Sequence, residues 1–164
     1  VPVHKGEPLP WVIQVEEFDV EPAFDHNRLV YRVSNDQLRH YRYRQWVTKP
    51  GRLVRDAVKR YLMAGRWLRQ VTDAPTPLPD FVLRGHVYAM EQVEREKGEQ
   101  WSAHFTLTLQ LHRVTDHQVV WSGLLDSEMR IRNRTPETVV RALNLLLRQF
   151  LDQERPKLLA SLRR

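Results

Sequence analysis

Two stretches of alternating side chains constrain the fold most. From Trp101 to Leu111 every second residue is apolar, and the residues between are Ser, His, Thr and Gln. Successive side chains of a β-strand point to opposite faces, so this pattern predicts a strand with one buried and one wet face. The stretch 119–131 repeats the pattern. A third stretch follows it more loosely, with one face formed by Phe81, Leu83, Val87 and Ala89. Short polar turns separate the three stretches and predict an antiparallel meander.

Two amphipathic helices are predicted to cover the buried face of this meander. Thr48 is the expected cap of the first helix, Pro50 lies in its first turn, and Gly65 is the expected stop. Its apolar stripe consists of Leu53, Val54, Ala57, Val58, Tyr61 and Leu62. The second helix is expected to start at Thr135 and Pro136, with Pro156 ending or kinking it and residues 158–164 continuing it for a final turn or two.

The first half of the chain adds shorter strands to this plan. One follows Pro10, two runs at 28–33 and 38–46 form a hairpin, and a short strand covers 67–71. A chain of 164 residues fits one domain with a real core. We therefore expect an α/β (or α+β) single domain: a layered sandwich of a mixed, largely antiparallel sheet and two amphipathic helices. Residues 1–10 are the expected N-terminal tether, and 11–164 the domain.

Positive charge is concentrated in one block. Residues 28–69 hold twelve Lys and Arg but only two acids, whereas the rest of the chain holds fourteen basic and eighteen acidic residues. Such a block favours an anionic partner: nucleic acid, anionic lipid or an acidic protein face. There is no cysteine, which excludes disulfides, zinc–thiolate sites and cysteine nucleophiles within these residues.

Motifs for catalysis are not found in the sequence. The seven histidines include no pair at the spacing of a helical metal motif, and the six glycines are scattered singly. His104 is expected to be a solvated strand residue, and Glu91 a solvated carboxylate near a strand end. Asp126 and Glu128 share one strand face without a recognisable nucleophile. We therefore expect neither enzyme activity nor a cofactor or metal.

The segment from Leu38 to Trp46, LRHYRYRQW, interleaves arginine with aromatic residues. A strand that stacks on nucleic acid needs exposed aromatics beside basic groups, and Tyr41 and Tyr43 lie on one predicted face. A surface that meets anionic lipid headgroups uses the same residue types. The residues alone leave these two interpretations open.

The sequence from Arg28 to Leu62 resembles the signature region of the ABC-type transport auxiliary lipoprotein family. The matching residues are Leu29, Val30, Tyr31 and Arg32, then Leu38, Tyr41 and Trp46, then Pro50, Leu53 and Ala57. The resemblance implies a periplasmic lipoprotein of the outer membrane in Gram-negative bacteria. It implies an auxiliary role beside an ABC permease and MCE-type substrate-binding subunits, in systems that move lipids or other hydrophobic molecules between membranes. It also implies a lipid-bearing cysteine before the first strand, which these residues do not contain.

The resemblance assigns structural roles to Tyr31, Tyr41, Trp46 and Pro50, which are expected to hold the hairpin against the first helix. Basic residues of the block are the expected contacts to anionic lipid or to a partner subunit: Arg39, Arg42, Arg44, Arg52, Arg55 and Lys59. The leading hypothesis is a non-enzymatic tether or adaptor that does not bind nucleic acid, and homo-oligomerisation is a further expectation. The alternative is a basic nucleic-acid-binding domain that uses the Tyr41 and Tyr43 face.

Overall fold

A computed structural model describes residues 3–34, 37–75, 78–95 and 98–163, except for the side chain of Arg44. The middle of the predicted hairpin turn, 35–36, and the first two residues of the predicted tether lie outside the described residues. The strands are β1 (Leu9–Val15), β2 (Asp19–Val20), β3 (Arg28–Ser34), β4 (Gln37–Gln45), β5 (Leu68–Thr72), β6 (Phe81–Arg95), β7 (Gln100–Arg113) and β8 (Val119–Ile131). The helices are α1 (Pro50–Gly65) and α2 (Pro136–Ser161).

Strand β6 organises an eight-stranded mixed sheet. One of its edges pairs with antiparallel β7, which in turn pairs with β8. Its other edge pairs in succession with β1, β2 and β3, all parallel to it. At about 3.3 Å per residue β6 is roughly 50 Å long, so three short strands fit end to end along one edge. Because β5 lies outside β1 and β4 lies outside β3, these two outer strands occupy opposite ends of β6.

Both helices pack on the same face of the sheet. The main core joins their apolar stripes to the inward side chains of the meander. A cavity between the helices is lined by Met90 of β6 and Phe105 of β7, which places α1 and α2 over the same two strands. The predicted fold class, a mixed sheet with two amphipathic helices in a single α/β domain, is confirmed.

A bulge in β6 corrects one predicted face. The pairing of β6 with β7 shifts between Val87 and Ala89. A bulge adds one residue to one strand, and the alternation beyond it is therefore reversed. Met90 consequently joins the main core, whereas Ala89 lies on the other face in a small cluster with Phe24 and Val30.

The predicted start of α2 is confirmed, but the helix does not end at Pro156. The Oγ1 of Thr135 accepts a hydrogen bond from the backbone N–H of Thr138 at 3.3 Å. The helix continues to Ser161, and Leu158 and Leu162 on this final segment are buried. Their packing against the core stabilises the helix beyond the proline, because tertiary burial contributes more to helix stability than local propensity does.

The ends of α1 differ in detail from the prediction. The helix begins at Pro50, but its cap residue is Lys49 without a side-chain bond, so the capping role expected of Thr48 is wrong. Gly65 is the last helical residue, and the left-handed residue is Arg66 with a φ of 53°. A Cβ atom on Gly65 would lie 2.2 Å from the ring of Trp67, so the glycine makes room for that ring.

Candidate functional site

The hairpin of β3 and β4, residues 28–45, is here named the basic arm. It lies at the end of β6, where β3 pairs with residues 91–93, and β4 pairs outward of β3. Arg39 and Arg42 of β4 are exposed. Within the described ranges neither of them forms an ion pair, so their charge faces solvent. Arg44 belongs to β4, but its side chain lies outside the described residues.

The aromatic residues of the basic arm mostly pack. The rings of Tyr31 and Tyr41 lie 4.7 Å apart between centroids. The hydroxyl of Tyr41 donates to Oε1 of the buried Gln92 at 3.3 Å. Trp46 follows the arm and packs, half-buried, against the main core. These contacts are consistent with the structural role expected of the three aromatics.

The predicted stacking face of Tyr41 and Tyr43 is divided by the fold. Tyr41 is half-buried and bonded to Gln92, whereas Tyr43 is 89% exposed. Stacking on single-stranded nucleic acid requires aromatic faces that bases can reach. Only Tyr43 of this pair offers such a face, which weakens the nucleic-acid alternative.

Three basic residues of α1, all among the predicted partner contacts, are paired with neighbouring acids. Lys59 Nζ lies 2.8 Å from Oδ1 of Asp73, at the end of β5, and Arg55 lies 3.4 Å from Oδ2 of the same residue. The hydrogen bond from Lys59 is the main reason why the pKa of Asp73 is lowered. Arg55 also contacts Asp56 at 2.7 Å, and Arg52 lies 3.4 Å from Glu17. Of the six basic residues predicted to meet a partner, Arg39 and Arg42 are thus the ones whose described side chains lie free at the surface.

An apolar groove lies between α1 and α2 and is here named the interhelical groove. Its cavity volume is about 290 Å³. Met90 and Phe105 form its floor, and Trp46 with exposed Val47 lies at one end. Its helix-borne lining consists of Leu53, Val54, Ala57 and Arg60 from α1 and Val140, Leu143, Asn144 and Leu147 from α2.

A second cavity of about 340 Å³ continues this groove along the helices. The two cavities share four lining residues: Ala57, Arg60, Asn144 and Leu147. Across its far wall the hydroxyl of Tyr61 donates to Oδ1 of Asp152 at 2.6 Å, which links α1 to α2. The pKa of Tyr61 is raised to about 12, mainly because the phenol is buried.

The opposite face of the sheet carries a buried ionic cluster. Glu91 is 1% exposed and accepts hydrogen bonds from Nε of Arg32 at 3.0 and 3.1 Å. Nδ1 of His104 lies 3.1 Å from the same carboxylate, and its Nε2 lies 2.9 Å from Asp126. The expectation that Glu91 and His104 are solvated residues is therefore wrong.

Charge complementarity in this cluster shifts its pKa values in opposite directions. The hydrogen bond to Glu91, with a further one to Asp126, raises the pKa of His104. The bond from His104 in turn lowers the pKa of Asp126. Arg95, bound to Glu128 at 2.6 Å, lowers the pKa of that carboxylate. Glu128 also accepts a hydrogen bond from Ser102.

Neither the groove nor the ionic cluster was found from the sequence. Leu53, Val54 and Ala57 of the lining belong to the predicted apolar stripe of the first helix, and such a stripe does not tell how closely two helices approach. The ionic cluster had only a partial sequence signal. His104 and Asp126 lie on outward positions of their predicted strands, whereas Glu91 reaches that face because of the bulge between Val87 and Ala89. Among the described residues no group of three or more His, Cys, Asp or Glu side chains is arranged to hold a metal ion.

Neither of the described helices has the length and apolar character needed to cross a membrane.

Similar folds occur among solved structures. Protein XCC0632 from Xanthomonas campestris is 18% identical, with a TM-score of 0.81 over 98% of this chain and 91% of that chain. PelC from Paraburkholderia phytofirmans, solved as a dodecamer, is 16% identical, with a TM-score of 0.56 over 92% and 90%. CT253 from Chlamydia trachomatis is 7% identical, with a TM-score of 0.56 over 94% and 98%.

Identities this low show a shared fold and no more. No curated protein matches the chain in sequence. The family model of the ABC-type transport auxiliary lipoprotein component matches residues 1–153, which extends the resemblance of residues 28–62 over most of the chain. The chain belongs to the ABC-type transport auxiliary lipoprotein family.

Proposed function

We propose that this protein is the periplasmic, outer-membrane-anchored auxiliary subunit of an MCE-type ABC system. It acts without enzymatic activity as an adaptor between a membrane and the transporter, in a pathway that moves lipids or other hydrophobic molecules between bacterial membranes. Family membership supports the transport role. The observation that carries the adaptor role is the separation of the chain entry from the basic arm.

The chain enters the fold at the end of the sheet that lies furthest from the basic arm. The backbone N–H of His4 donates to the carbonyl of Gly65 at 2.9 Å, at the end of α1. β1 then pairs with the start of β6 at Phe81, whereas β3 pairs with its end at Glu91. Ten residues of extended strand separate these points by roughly 33 Å.

A lipid anchor attached ahead of β1 would therefore leave the basic arm directed away from the anchoring membrane. Arg39 and Arg42, exposed on the outer strand of that arm, would meet an acidic face of the transporter assembly rather than the headgroups beside the anchor. This arrangement favours the partner interpretation of the basic block over the lipid interpretation. It is also the geometry that an adaptor requires, with two contacts at opposite ends of one rigid sheet.

Co-purification from membranes tests this proposal. The chain with its native N-terminal extension and a C-terminal affinity tag should recover MCE-type and permease subunits, identified by mass spectrometry. The double variant Arg39→Glu and Arg42→Glu should lose them. Arg69→Glu with Arg66→Glu is the matched control, because these exposed residues carry the same charge change at the opposite end of the sheet. Equal recovery by both double variants would overturn the role of the basic arm.

Vesicle and nucleic-acid binding separate the alternatives. The soluble chain should sediment no better with vesicles containing phosphatidylglycerol than with pure phosphatidylcholine vesicles. If the chain binds phosphatidylglycerol vesicles and the double variant Arg39→Glu and Arg42→Glu does not, the basic arm is a lipid-binding surface instead. Binding to single-stranded DNA with a steep salt dependence would instead favour the nucleic-acid alternative.

Self-association is part of the proposal. The solved PelC structures are dodecamers, and we propose that this chain also forms a homo-oligomer. Light scattering coupled to size exclusion measures the molar mass directly. A 19.6 kDa species at all concentrations would contradict this part alone.

A further inference from the structure

We propose that the interhelical groove binds one acyl chain of an anionic amphiphile, with the chain between the two helices and the headgroup at Arg60. The inference rests on the proposed function in that it names the class of molecule such a subunit would handle. The interhelical groove is a different surface from the basic arm, so the acyl-chain site and the adaptor role can be refuted independently of each other.

The groove has the lining and the size of an acyl-chain site. Its floor is Met90 and Phe105, and its walls include Leu143, Leu147 and Trp46. At about 290 Å³ it lies near the lower end of ligand cavities, which begin at about 300 Å³, and the adjoining cavity lengthens it. An elongated apolar slot between helices fits a single chain better than a rigid ring system.

Small side chains keep the groove open. Ala57 on α1 and Val140 on α2 are among the lining residues, so each helix contributes a short apolar side chain to the groove wall. The bond from Tyr61 to Asp152 fixes the two helices to each other beside the second cavity. The groove is thus part of a fixed helix pair.

Charge in the groove is of one sign. Arg60 lines both cavities, and Arg148 lines the second. In the part of the chain that the structure describes, no acidic side chain lines either cavity, and Arg60 forms no ion pair. This contrasts with Arg55 and Lys59 on the same helix, which are paired with Asp73. An unpaired guanidinium above an apolar slot is complementary to a carboxylate or phosphate at the end of an acyl chain.

The open end of the groove is also apolar. Val47 is 98% exposed at this end, next to Trp46. A large exposed apolar side chain beside an apolar slot is typical of a surface that a ligand covers.

Tryptophan quenching tests the proposal with the purified chain. The probe is 11-bromoundecanoic acid, whose bromine quenches an indole ring on contact. Titration should quench part of the fluorescence saturably, and Trp46→Phe should remove most of that saturable component. Full saturable quenching in Trp46→Phe would place the acyl chain elsewhere and overturn the proposal.

Two groove-filling variants and two matched controls locate the site. Ala57→Phe should weaken binding about tenfold or more, the loss expected when two methylenes are withdrawn from apolar contact. Val140→Phe should weaken binding similarly. It replaces Ala57→Phe if that variant does not fold, which thermal unfolding of each variant shows. Ala160→Phe, at an exposed helical position away from the groove, should bind as the parent does. Parent-like binding by both filling variants would overturn the proposal.

The headgroup is tested with Arg60→Gln against Arg69→Gln, which removes the same charge from an exposed position on β5. Arg60→Gln should weaken binding about two- to fivefold, as for an exposed ion pair, and Arg69→Gln should not. Equal affinity for decyl maltoside, which is uncharged, would contradict the headgroup contact. Competition by lysophosphatidylglycerol would assign a phospholipid source, whereas competition by decanoate alone would assign a free fatty acid.

The experiments distinguish failure of the adaptor proposal from failure of the acyl-chain proposal. Saturable quenching without recovery of transporter subunits would overturn the adaptor role and leave the acyl-chain site. Recovery of those subunits by a chain that shows no saturable quenching would do the reverse.

Discussion

The Nδ1 atom of His104 lies 3.1 Å from Oε1 of Glu91, a carboxylate that is 1% exposed on the helix-free face of the sheet. Burial of a charge is unfavourable unless the charge is paired and hydrogen-bonded. Glu91 has two such partners, His104 on β7 and Arg32 on β3. The carboxylate therefore connects the meander to the basic arm.

The stability of the protein should depend on the protonation of His104. Glu91, Asp126 and nearby Glu128 face the ring, and the hydrogen bond to Glu91 is the main cause of its raised pKa. Since the folded pKa is above the ordinary value of 6.5, this contribution is fully present below pH 6.5 and is lost as the pH rises through the folded pKa. Urea unfolding of the parent and of His104→Gln at about pH 5.5 and about pH 8.5 measures it.

The free-energy difference between parent and His104→Gln should be larger at the lower pH. Hydrogen bonds to charged groups contribute about 1.5–3 kcal/mol, which is the loss expected there. Asp126 and Glu128 stay ionised at both pH values, because their pKa values are lowered. His4→Gln, at an exposed position, is the control. An equal difference at both pH values would contradict the assigned protonation.

Removal of the other partner of Glu91 should be costly. Arg32→Met leaves the buried carboxylate with His104 alone, and breaking a buried pair from one side costs about 3–5 kcal/mol. The double variant Arg32→Met with Glu91→Met should be more stable than the single one, because it leaves no unpaired charge. Lys49→Met breaks an exposed pair with Asp25 and should cost about 1 kcal/mol or less. Chemical denaturation provides the comparison, and a single variant as stable as the double would refute the argument.

Local periodicity was sufficient to predict β7, β8 and most of the helices. The alternation predicted the buried face from Ala103 to Leu111 correctly, whereas Trp101 is half-buried and Ser102, on the predicted wet face, is buried. Parallel pairing of β1, β2 and β3 along one edge of β6 could not be predicted, since long-range pairing leaves no local signal. The reversal at Ala89 depended on a bulge, which the apolar pattern does not report.

The candidate site was predictable only in part. The local excess of arginine identified the basic arm, but Asp73 reaches Arg55 and Lys59 only because β5 packs beside α1. The same limit applied to Glu91, whose partners come from two other strands. Charge counting gives the sign of a surface, whereas tertiary pairing decides which charges remain free.

Gly51 should not tolerate a side chain, although it lies in a helix. Alanine is normally about 1 kcal/mol better than glycine at a helical position. A Cβ atom on Gly51, however, would lie 2.2 Å from the backbone carbonyl oxygen of Phe18, which cannot rotate away. Gly51→Ala should therefore destabilise the fold by about 1–3 kcal/mol. Gly6→Ala is the control, since the atom nearest to its added Cβ is Nε2 at the end of the exposed His4 side chain, at 3.0 Å. A stabilised Gly51→Ala would disprove the close approach of α1 to the chain before β2.

The bond from Tyr61 to Asp152 should hold α1 and α2 together across the interhelical groove. Burial raises the pKa of Tyr61 to about 12, so the phenol stays neutral in the fold, and its contribution is present below pH 10 and lost as the pH rises through about 12. Tyr61→Phe removes one donor and should cost about 1 kcal/mol in urea unfolding at neutral pH. In an ultraviolet titration the same variant should lose the tyrosinate component that ionises last. Tyr43→Phe, at an 89% exposed position, should leave the unfolding free energy and the late component unchanged. Persistence of the late component in Tyr61→Phe would show that another tyrosine is the buried one.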